Sequence, residues 1–477
     1  MLISELGIEV NDDDVEVTGL AIDSGAVKPG DLFFCLVGRD NDGHTFAGEA
    51  VARGAAAVVV ERRLALDVVQ IEVPSTRHAL AIAASAFYGN PSKRLKMIGI
   101  TGTNGKTTTT YIVKNIIEAA GHSCGLIGTN AIEYGKVKRD AGLTTPDPID
   151  LQAILREMSD AGTEYVVMEV SAHALALNKV DGIMYEVAAF SNFSRDHLDF
   201  FGDMDNYAKA KAGFFTAEHA RLAVVNADDP LGEQILKQTT LPAITYGVEN
   251  PCDVFGIDPV MSAYGLEYVI NMSDSVGKVK FNLTGRFNMY NTLCAAAIAA
   301  ALGLPLSAVI KGIRNIKKID GRFNIINTSK CSVIIDFAHT DDGLANILRA
   351  IREFAPARII TVFGCGGNRD TTKRAVMGKI VSQMSDYCFV TSDNPRFESP
   401  QSIIDQITDG IKEIGGTNYT AVVDRKQAIK SAIEMAEKDD IVLIAGKGAE
   451  RYNDVMGRKQ PYNDEQYVME IAGEFGF

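Results

Sequence analysis

Positive charge is in short supply in this chain. Its 47 Lys and Arg stand against 61 Asp and Glu, a formal charge of -14 over 477 residues. The average surface therefore repels nucleic acid and anionic lipid, which excludes wholesale wrapping of either and makes any phosphate site a local one. Cysteine is sparse: seven, at 35, 124, 252, 294, 331, 365 and 388, with no CxxC pair. An odd count in so long a chain describes no disulfide framework and fits a reduced cytoplasm. No apolar run reaches transmembrane length, and the opening MLISELGIEVNDDD is acidic where a secretory leader needs a basic and then an apolar segment. The expectation is a soluble, cytoplasmic chain with no membrane insertion and no nucleic-acid partner. Internal repeats and low-complexity tracts are missing too, which removes solenoids and linker arrays.

What is present is ordinary for a globular protein: 46% hydrophobic and 23% charged residues. The length exceeds the roughly 250–300 residues at which a single core stops growing, so two to four domains are expected. Short β-branched runs, turn residues and helical patterns alternate throughout, the signature of α/β units with largely parallel sheets. DLFFCLVG, AGEAVARG and AAAVVVE give a strand, helix and strand in a first segment, 1–88. GNPSKRL marks a linker at about 89–95. KMIGIT, YVVMEV, VAAFSNF and LAVVNAD are strands of a second segment, 96–316, which closes on the Ala-rich helix NTLCAAAIAAALG. CSVIIDF, RIITVFG, DYCFVTS and IVLIAG are strands of a third, 317–477, which resembles another doubly wound unit.

KMIGIT runs into GTNGKTTTT and then into the amphipathic YIVKNIIEAAG. A glycine-rich turn between a strand and a helix start presents backbone N–H groups and the positive helix end to phosphate oxygens. Lys106 can add charge at the β- and γ-phosphates, and the Thr107 hydroxyl can ligate Mg²⁺. The strict eight-residue phosphate-loop pattern fails, because Ile100 stands where it needs glycine and the glycines are Gly102 and Gly105. Alone, the loop says NTPase, kinase or ligase. Downstream, Glu169 ends an apolar strand, and Asp196, His197 and Asp199 follow another, so two strand ends offer hard oxygen ligands and an imidazole where open α/β sheets bind ligands. Read singly, His197 is a surface pair with Asp and Lys211 a helix-surface lysine.

GTNGKTTTT, MEVSAHAL and SRDHLDFFGDMDNYAKAKAGFF, in that order and spacing, closely resemble the Mur ligase family, above all its diaminopimelate-adding members. AIDSGAVKPGDLFFCLVGRDNDGHTF, GLTTPDP, GRFNMYN, IDGRFN, DFAHTDDGL, GCGGNRD, SDNPRFESP and AGKGAE extend the resemblance over nearly the whole chain. It implies three α/β domains: a smaller N-terminal uridine-nucleotide domain, a central P-loop-type ATP-binding domain and a C-terminal Rossmann-like, amino-acid-binding domain. It also implies a monomer that works in peptidoglycan synthesis with ATP and Mg²⁺. A carboxylate of UDP-MurNAc-L-Ala-D-Glu attacks the γ-phosphate, and the amine of meso-diaminopimelate then displaces phosphate from the acyl phosphate. Two anions must meet in the first step, so cations have to hold them together.

By the same resemblance, Gly102, Thr103, Asn104, Gly105, Lys106, Thr107, Thr108, Asn288, Asn291, Arg322 and Asp336 serve ATP, with His339 a less certain neighbour. Thr107, Glu169, His197 and Lys211 serve the metal, Lys211 after carbamylation, and Lys106, Glu169, His197 and Lys211 form the catalytic set. Ser24, Arg39, Asp40, Asn41, Thr144, Thr145, Ser171 and Lys179 contact the uridine precursor. The chain departs from the family pattern at Gly25 and Lys179, where Arg is frequent, and at Ala172, Leu177 and Ala449, where Ser, Gln and His are. Lys179 keeps charge but loses the bidentate fork.

SDNPRFE bears on which amino acid is added. Pro395 fixes its own φ and restricts Asn394, a stiff turn that aims Arg396. A guanidinium suits the far carboxylate of diaminopimelate and repels the far ammonium of lysine. Arg369, Asp393, Asn394, Gly446 and Glu450 complete the matching set, with Glu450 able to take the distal ammonium. The bland alternative is an Arg396–Glu398 pair. Alternatives left open are L-lysine or another diamino acid as substrate, a relative such as folylpolyglutamate synthetase or MurF, and a P-loop kinase or non-catalytic nucleotide binder.

Overall fold

A computed structural model describes residues 1–9, 14–38, 41–262, 264–328, 330–355 and 357–474. Three α/β units follow one another, each built on its own sheet. The first sheet is parallel, in the order Gly19–Ala21, Asp31–Phe34, Ala57–Val60 and Val69–Glu72. Every residue of its two inner strands is buried. Such runs need cover on both faces. Helix Thr76–Phe87 supplies Leu80 and Ala83 to one face, against Leu32, Phe34 and Val59, and helix Ala47–Ala52 packs Ala47 and Ala50 against Phe33 and Val58 on the other.

The central sheet has eleven strands. Lys96–Thr101 lies at its middle between Tyr165–Glu169 and Tyr185–Phe190, all parallel, with Ile100 beside Glu169 and Thr101 beside Phe190. Their carboxyl ends therefore share one edge. The expectation of a largely parallel sheet holds for these inner strands, whereas both flanks turn antiparallel. On one flank Val254–Ser262, Gly265–Met272 and Ser275–Phe281 form a meander. It was not read from the sequence, although Leu266, Tyr268, Ile270 and Met272 alternate inward with period two. The tight turn is Ser273-Asp274, both at positive φ, which takes the hairpin geometry without the Asn-Gly that usually announces it. Helix Arg286–Ala301 is buried against this sheet, and small alanines let it approach closely.

The third sheet runs Asn324–Asn327, Ser332–Asp336, Ile441–Ala445, Ile359–Phe363, Tyr387–Val390 and Tyr419–Ala421, parallel apart from its first strand. Helices Asp341–Arg352, Lys373–Met384 and Pro400–Glu413 cover one face, while Arg425–Met435 and Asp464–Glu474 cover the other. A short hairpin, Tyr452–Val455 with Arg458–Pro461, was also unforeseen. Phe323 bridges Phe287 and Phe354, ring centroids 6.4 and 6.2 Å away, so the central and C-terminal cores are continuous. Among the described residues no helix is long and apolar enough to cross a membrane.

Candidate active site

The phosphate-loop turn is shaped by two glycines that a side chain would break. Gly102 and Gly105 have φ of 148° and 84°, and a Cβ there would meet Ser191 Oγ at 1.9 Å and Asn291 Oδ1 at 2.2 Å. Polar residues of the next strand's end pin the turn. Asn104 N donates to Asn192 Oδ1 at 2.8 Å, and Asn104 O accepts from Ser191 Oγ at 2.7 Å and Asn192 Nδ2 at 3.0 Å. Helix Lys106–Ala119 starts with no side-chain cap, so its first N–H groups remain for an anion. Lys106 Nζ donates to Gly102 O at 2.8 Å and Thr103 O at 2.9 Å, and burial lowers its proton affinity despite Glu169 and Asp196 nearby. Thr107 and Thr108 are buried.

Glu169 sits at its strand's end, 1% exposed. Its Oε1 accepts from Thr129 N at 2.8 Å and its Oε2 from Thr129 Oγ1 at 3.1 Å. Gly128 lies so close that a Cβ would touch Oε1 at 2.4 Å. His197 adopts left-handed backbone, φ 56°, which turns its ring towards His173, with centroids 4.6 Å apart. Burial pushes the imidazole down to about 3, although Asp196, 3.3 Å away, works against the fall. Lys211 is 1% exposed, its Nζ 4.5 Å from the Tyr207 ring centroid. Burial and the charge of Lys106 hold its amine well below the usual lysine range. The sequence reading of Lys211 as a helix-surface residue is thus corrected: the hydrophobic residues around it carry its helix face inward.

The C-terminal unit reaches across this edge. Arg322 Nη2 donates to Thr107 Oγ1 at 2.8 Å, its guanidinium 4.6 Å over the Phe337 ring. Burial lowers its proton affinity against the opposing charges of Asp336 and Glu169. Asp336 accepts from Phe323 N and Ala338 N, both at 2.8 Å, and burial raises its carboxyl. Asn104 Nδ2 donates to Asp342 Oδ2 at 3.1 Å. Asp196, 5% exposed, faces Lys373 Nζ at 3.5 Å and His339 Nε2 at 3.9 Å. Burial raises its carboxyl, but Lys373 and the two histidines outweigh that and hold it below the carboxylate range. Arg195 donates to Thr372 Oγ1 and faces Asp370 Oδ2 at 3.8 Å. Asn288 and Asn291 are buried in the neighbouring helix, Asn291 Nδ2 donating to Asn288 Oδ1 at 3.0 Å.

Of the residues expected to contact the precursor, Arg39 and Asp40 lie outside the described residues. Ser24 Oγ donates to Glu49 Oε2 at 2.9 Å, and Asn41 is exposed. Neither makes a side-chain hydrogen bond to the central unit. Thr144, Thr145 and Ser171 gather around Glu169: Thr145 Oγ1 donates to Glu169 O at 2.8 Å and lies 3.4 Å from Ser171 Oγ, and Thr144 Oγ1 lies 3.1 Å from Thr129 Oγ1. Lys179 pairs with Asp147 at 2.7 Å in a small cleft shared with Arg77, Ile22 and Leu36 of the first unit. Arg77 was missed, because a lone arginine at a helix start carries no sequence signal.

Around Pro395, Asn394 and Arg396 both take left-handed backbone, φ 42° and 51°, a departure from the extended conformation usual before proline. Arg396 does not pair with Glu398. It donates to Gly367 O at 2.7 Å and faces Asp454 at 3.7 Å, and Glu398 is held instead by the buried Arg374 at 2.8 Å. A Cβ on Gly366 would meet Arg396 Nη1 at 2.9 Å and Arg369 Cγ at 3.8 Å, so the two arginines flank one loop. Arg369 also depresses the proton affinity of His173, next to burial. Asp393 is buried; burial raises its carboxyl, but Lys447, Arg425, His339 and Arg396 bring it below the ordinary range. His339 thus lies within electrostatic reach of both Asp196 and Asp393. Gly446, at φ 112°, lies against Asp393, and Asn394 Nδ2 donates to Glu450 Oε2 at 2.7 Å. Lys373 and Lys447, both buried, were not foreseen. Among the described residues no three His, Cys, Asp or Glu side chains gather as a ready-made metal centre.

Three family models match the chain: "Mur ligase family, catalytic domain" over residues 16–88, "Mur ligase middle domain" over 100–299 and "Mur ligase, glutamate ligase domain" over 321–448. The UDP-N-acetylmuramoyl-L-alanyl-D-glutamate--2,6-diaminopimelate ligase of Syntrophomonas wolfei is 40% identical over 478 residues, 98% of each chain. A solved structure of a ligase of the same name superposes with TM-score 0.71 at 29% identity, covering 100% of this chain and 99% of that one. The MurF ligase of Thermotoga maritima, solved in complex with ADP, shares the fold at TM-score 0.64 and 21% identity over 97% of this chain and 99% of its own.

Proposed function

From the premise that the chain belongs to the Mur ligase family, we propose that it is an ADP-forming ligase joining meso-diaminopimelate to UDP-MurNAc-L-Ala-D-Glu through an acyl phosphate. One observation carries the reading. The carboxyl edges of two sheets face each other, and Arg322, Lys373 and His339 cross the gap to Thr107 and Asp196. Residues 1–88 serve the uridine nucleotide, 96–316 ATP, and 317–477 the amino acid. ATP phosphates lie on Gly102–Thr108, with Lys106 and Arg322 offsetting their charge so that the acceptor carboxylate can approach the γ-phosphorus. The carboxylate oxygen bonds to phosphorus as the bond to ADP breaks. The amine then attacks the acyl carbon and phosphate leaves. Closure of this interdomain edge over bound substrates would keep water from the hydrolysable intermediate.

The donor set fits Mg²⁺, which takes one or two carboxylates, phosphate oxygens and waters: Glu169 is buried in a cradle that a Cβ on Gly128 would fill. Thr107, Glu169, His197 and carbamylated Lys211 would hold the ion, which when bound neutralises phosphate charge. A buried amine with depressed proton affinity is free to add to CO₂, losing a proton as the carbamate forms, and Lys211 has that character. Ser24, Arg39, Asp40, Asn41, Thr144, Thr145, Ser171 and Lys179 contact the precursor, and Arg369, Asp393, Asn394, Arg396, Gly446 and Glu450 the amino acid. All come from one chain, in keeping with a monomer at work in the ATP-rich cytoplasm. The test follows ADP release with UDP-MurNAc-L-Ala-D-Glu while meso-diaminopimelate and L-lysine are offered separately. Turnover should depend on diaminopimelate; equal turnover with lysine, or ADP without an amide product, overturns the reading.

A further inference from the structure

Lys447 is a charged side chain 0% exposed, placed between two residues of the amino-acid pocket. Its ammonium donates to Asn394 Oδ1 and to Glu450 Oε2, each at 3.0 Å, with Asp393 Oδ1 at 3.6 Å as the third acceptor around it. Three acceptors match the three donors of an ammonium. Lysine cannot accept, so the Asn394 atom facing it is the carbonyl oxygen, and the amide nitrogen is left to donate to Glu450 Oε2 at 2.7 Å. Asp454 N donates to the same Oδ1 at 2.9 Å, tying in the hairpin that faces Arg396. Gly446 makes the approach possible, because a Cβ there would strike Asp393 Oδ2 at 2.4 Å.

Both partners of Glu450 use Oε2, and Oε1 takes no hydrogen bond from any described residue. Asp393 offsets the Lys447 charge on one side, so Glu450 retains negative character for a ligand. We infer that Lys447 is a positioning residue: it fixes the Asn394 amide and one oxygen of Glu450, so that the other oxygen meets the far ammonium of the incoming amino acid already oriented. This deepens the proposed reading of the pocket and rests on it. Preorganisation of this kind appears as affinity for the group being read, because the ordering cost is met before binding.

The test is steady-state ADP release by the full chain, varying each of the three substrates in turn. Lys447→Met should raise KM for meso-diaminopimelate roughly 30-fold, about 2 kcal/mol, while KM for ATP and for the precursor stays within about threefold. Lys447→Arg keeps a buried cation opposite Asp393, so it folds even if the methionine variant does not. It should raise the same KM selectively, since a planar fork cannot reproduce a tetrahedral clamp. Glu450→Gln and Lys447→Met combined should cost less than the sum of the two single changes, as expected of residues acting as a unit. Three KM values rising together, or strictly additive effects, would reduce Lys447 to a structural ion pair and overturn the inference. Wild-type protein that makes no amide with meso-diaminopimelate would overturn the underlying reading instead, and the inference with it.

Discussion

Arg396→Ala separates the two diamino acids most sharply. The guanidinium is 24% exposed and already spends one arm on Gly367 O and another on Asp454 at 3.7 Å. A ligand carboxylate at about 4 Å would gain roughly 4 kcal/mol at an effective dielectric near 20. Partial exposure and the competing Asp454 charge cut this to about 2 kcal/mol. The far ammonium is common to diaminopimelate and L-lysine, so its repulsion by the same charge cancels from their ratio. Removing the arginine should therefore shift the ratio of kcat/KM values by about 2 kcal/mol, roughly 30-fold, towards lysine. Arg396 already carries a Cβ at φ 51°, so alanine adds no backbone strain. The assay is ADP release at saturating ATP and precursor with either amino acid varied. A ratio unmoved within threefold, or an equal loss with both, would refute selection by far-end charge.

Lys106→Ala removes the cation held over the turn by Gly102 O and Thr103 O, and ADP production should fall by about 10³-fold or more; a retained rate would deny its phosphate role. Lys211→Arg cannot carry a carbamate and should be inactive yet folded, and ¹³C-labelled CO₂ should give a protein-bound carbamate signal in the wild type alone. A signal persisting in the variant refutes the assignment. Asp228 concerns stability. Burial raises its carboxyl, but Val248 N at 2.6 Å, Glu249 N at 3.0 Å, Asn250 N at 2.7 Å and the Tyr290 hydroxyl at 2.8 Å outweigh that and hold it low. The folded chain then binds this proton more weakly than the unfolded chain. Its contribution is complete above the unfolded value near pH ~4 and drains as pH falls through the folded one. Asp228→Asn should cost about 1–3 kcal/mol at pH 7 and flatten the acid limb of a denaturation series; an unchanged limb sinks the attribution.

Contiguous features were legible in the chain itself. The strand, glycine turn and helix around Lys106 are written in about twenty neighbouring residues, because a backbone phosphate cradle needs only local geometry. Fully buried parallel strands such as Ala57–Val60 and Ile441–Ala445 appear as unbroken apolar runs, because both faces are covered. Glu169 stands out as the first charge after such a run. The meander at Val254–Phe281 was legible in principle through its alternation, but its hairpin turn, Ser273-Asp274, hides its geometry in residues that rarely announce it.

Tertiary structure decided the rest. A lysine in AKAKAG reads as solvated until helix Met204–Ala212 packs, and only then does burial strip Lys211 of its ordinary proton affinity. Nothing near SDNPRFE reveals that Glu398 belongs to Arg374 and that Arg396 faces Asp454, since those partners are fixed by loops meeting through space. The same holds for Lys373 beside Asp196 and Lys447 beside Asn394, 177 and 53 residues from their partners. Sequence determines which charges the chain owns and where each strand ends. Which of them lose water and come to face one another depends on two sheets closing edge to edge, because desolvation and Coulomb energy are properties of the packed neighbourhood and not of the residue.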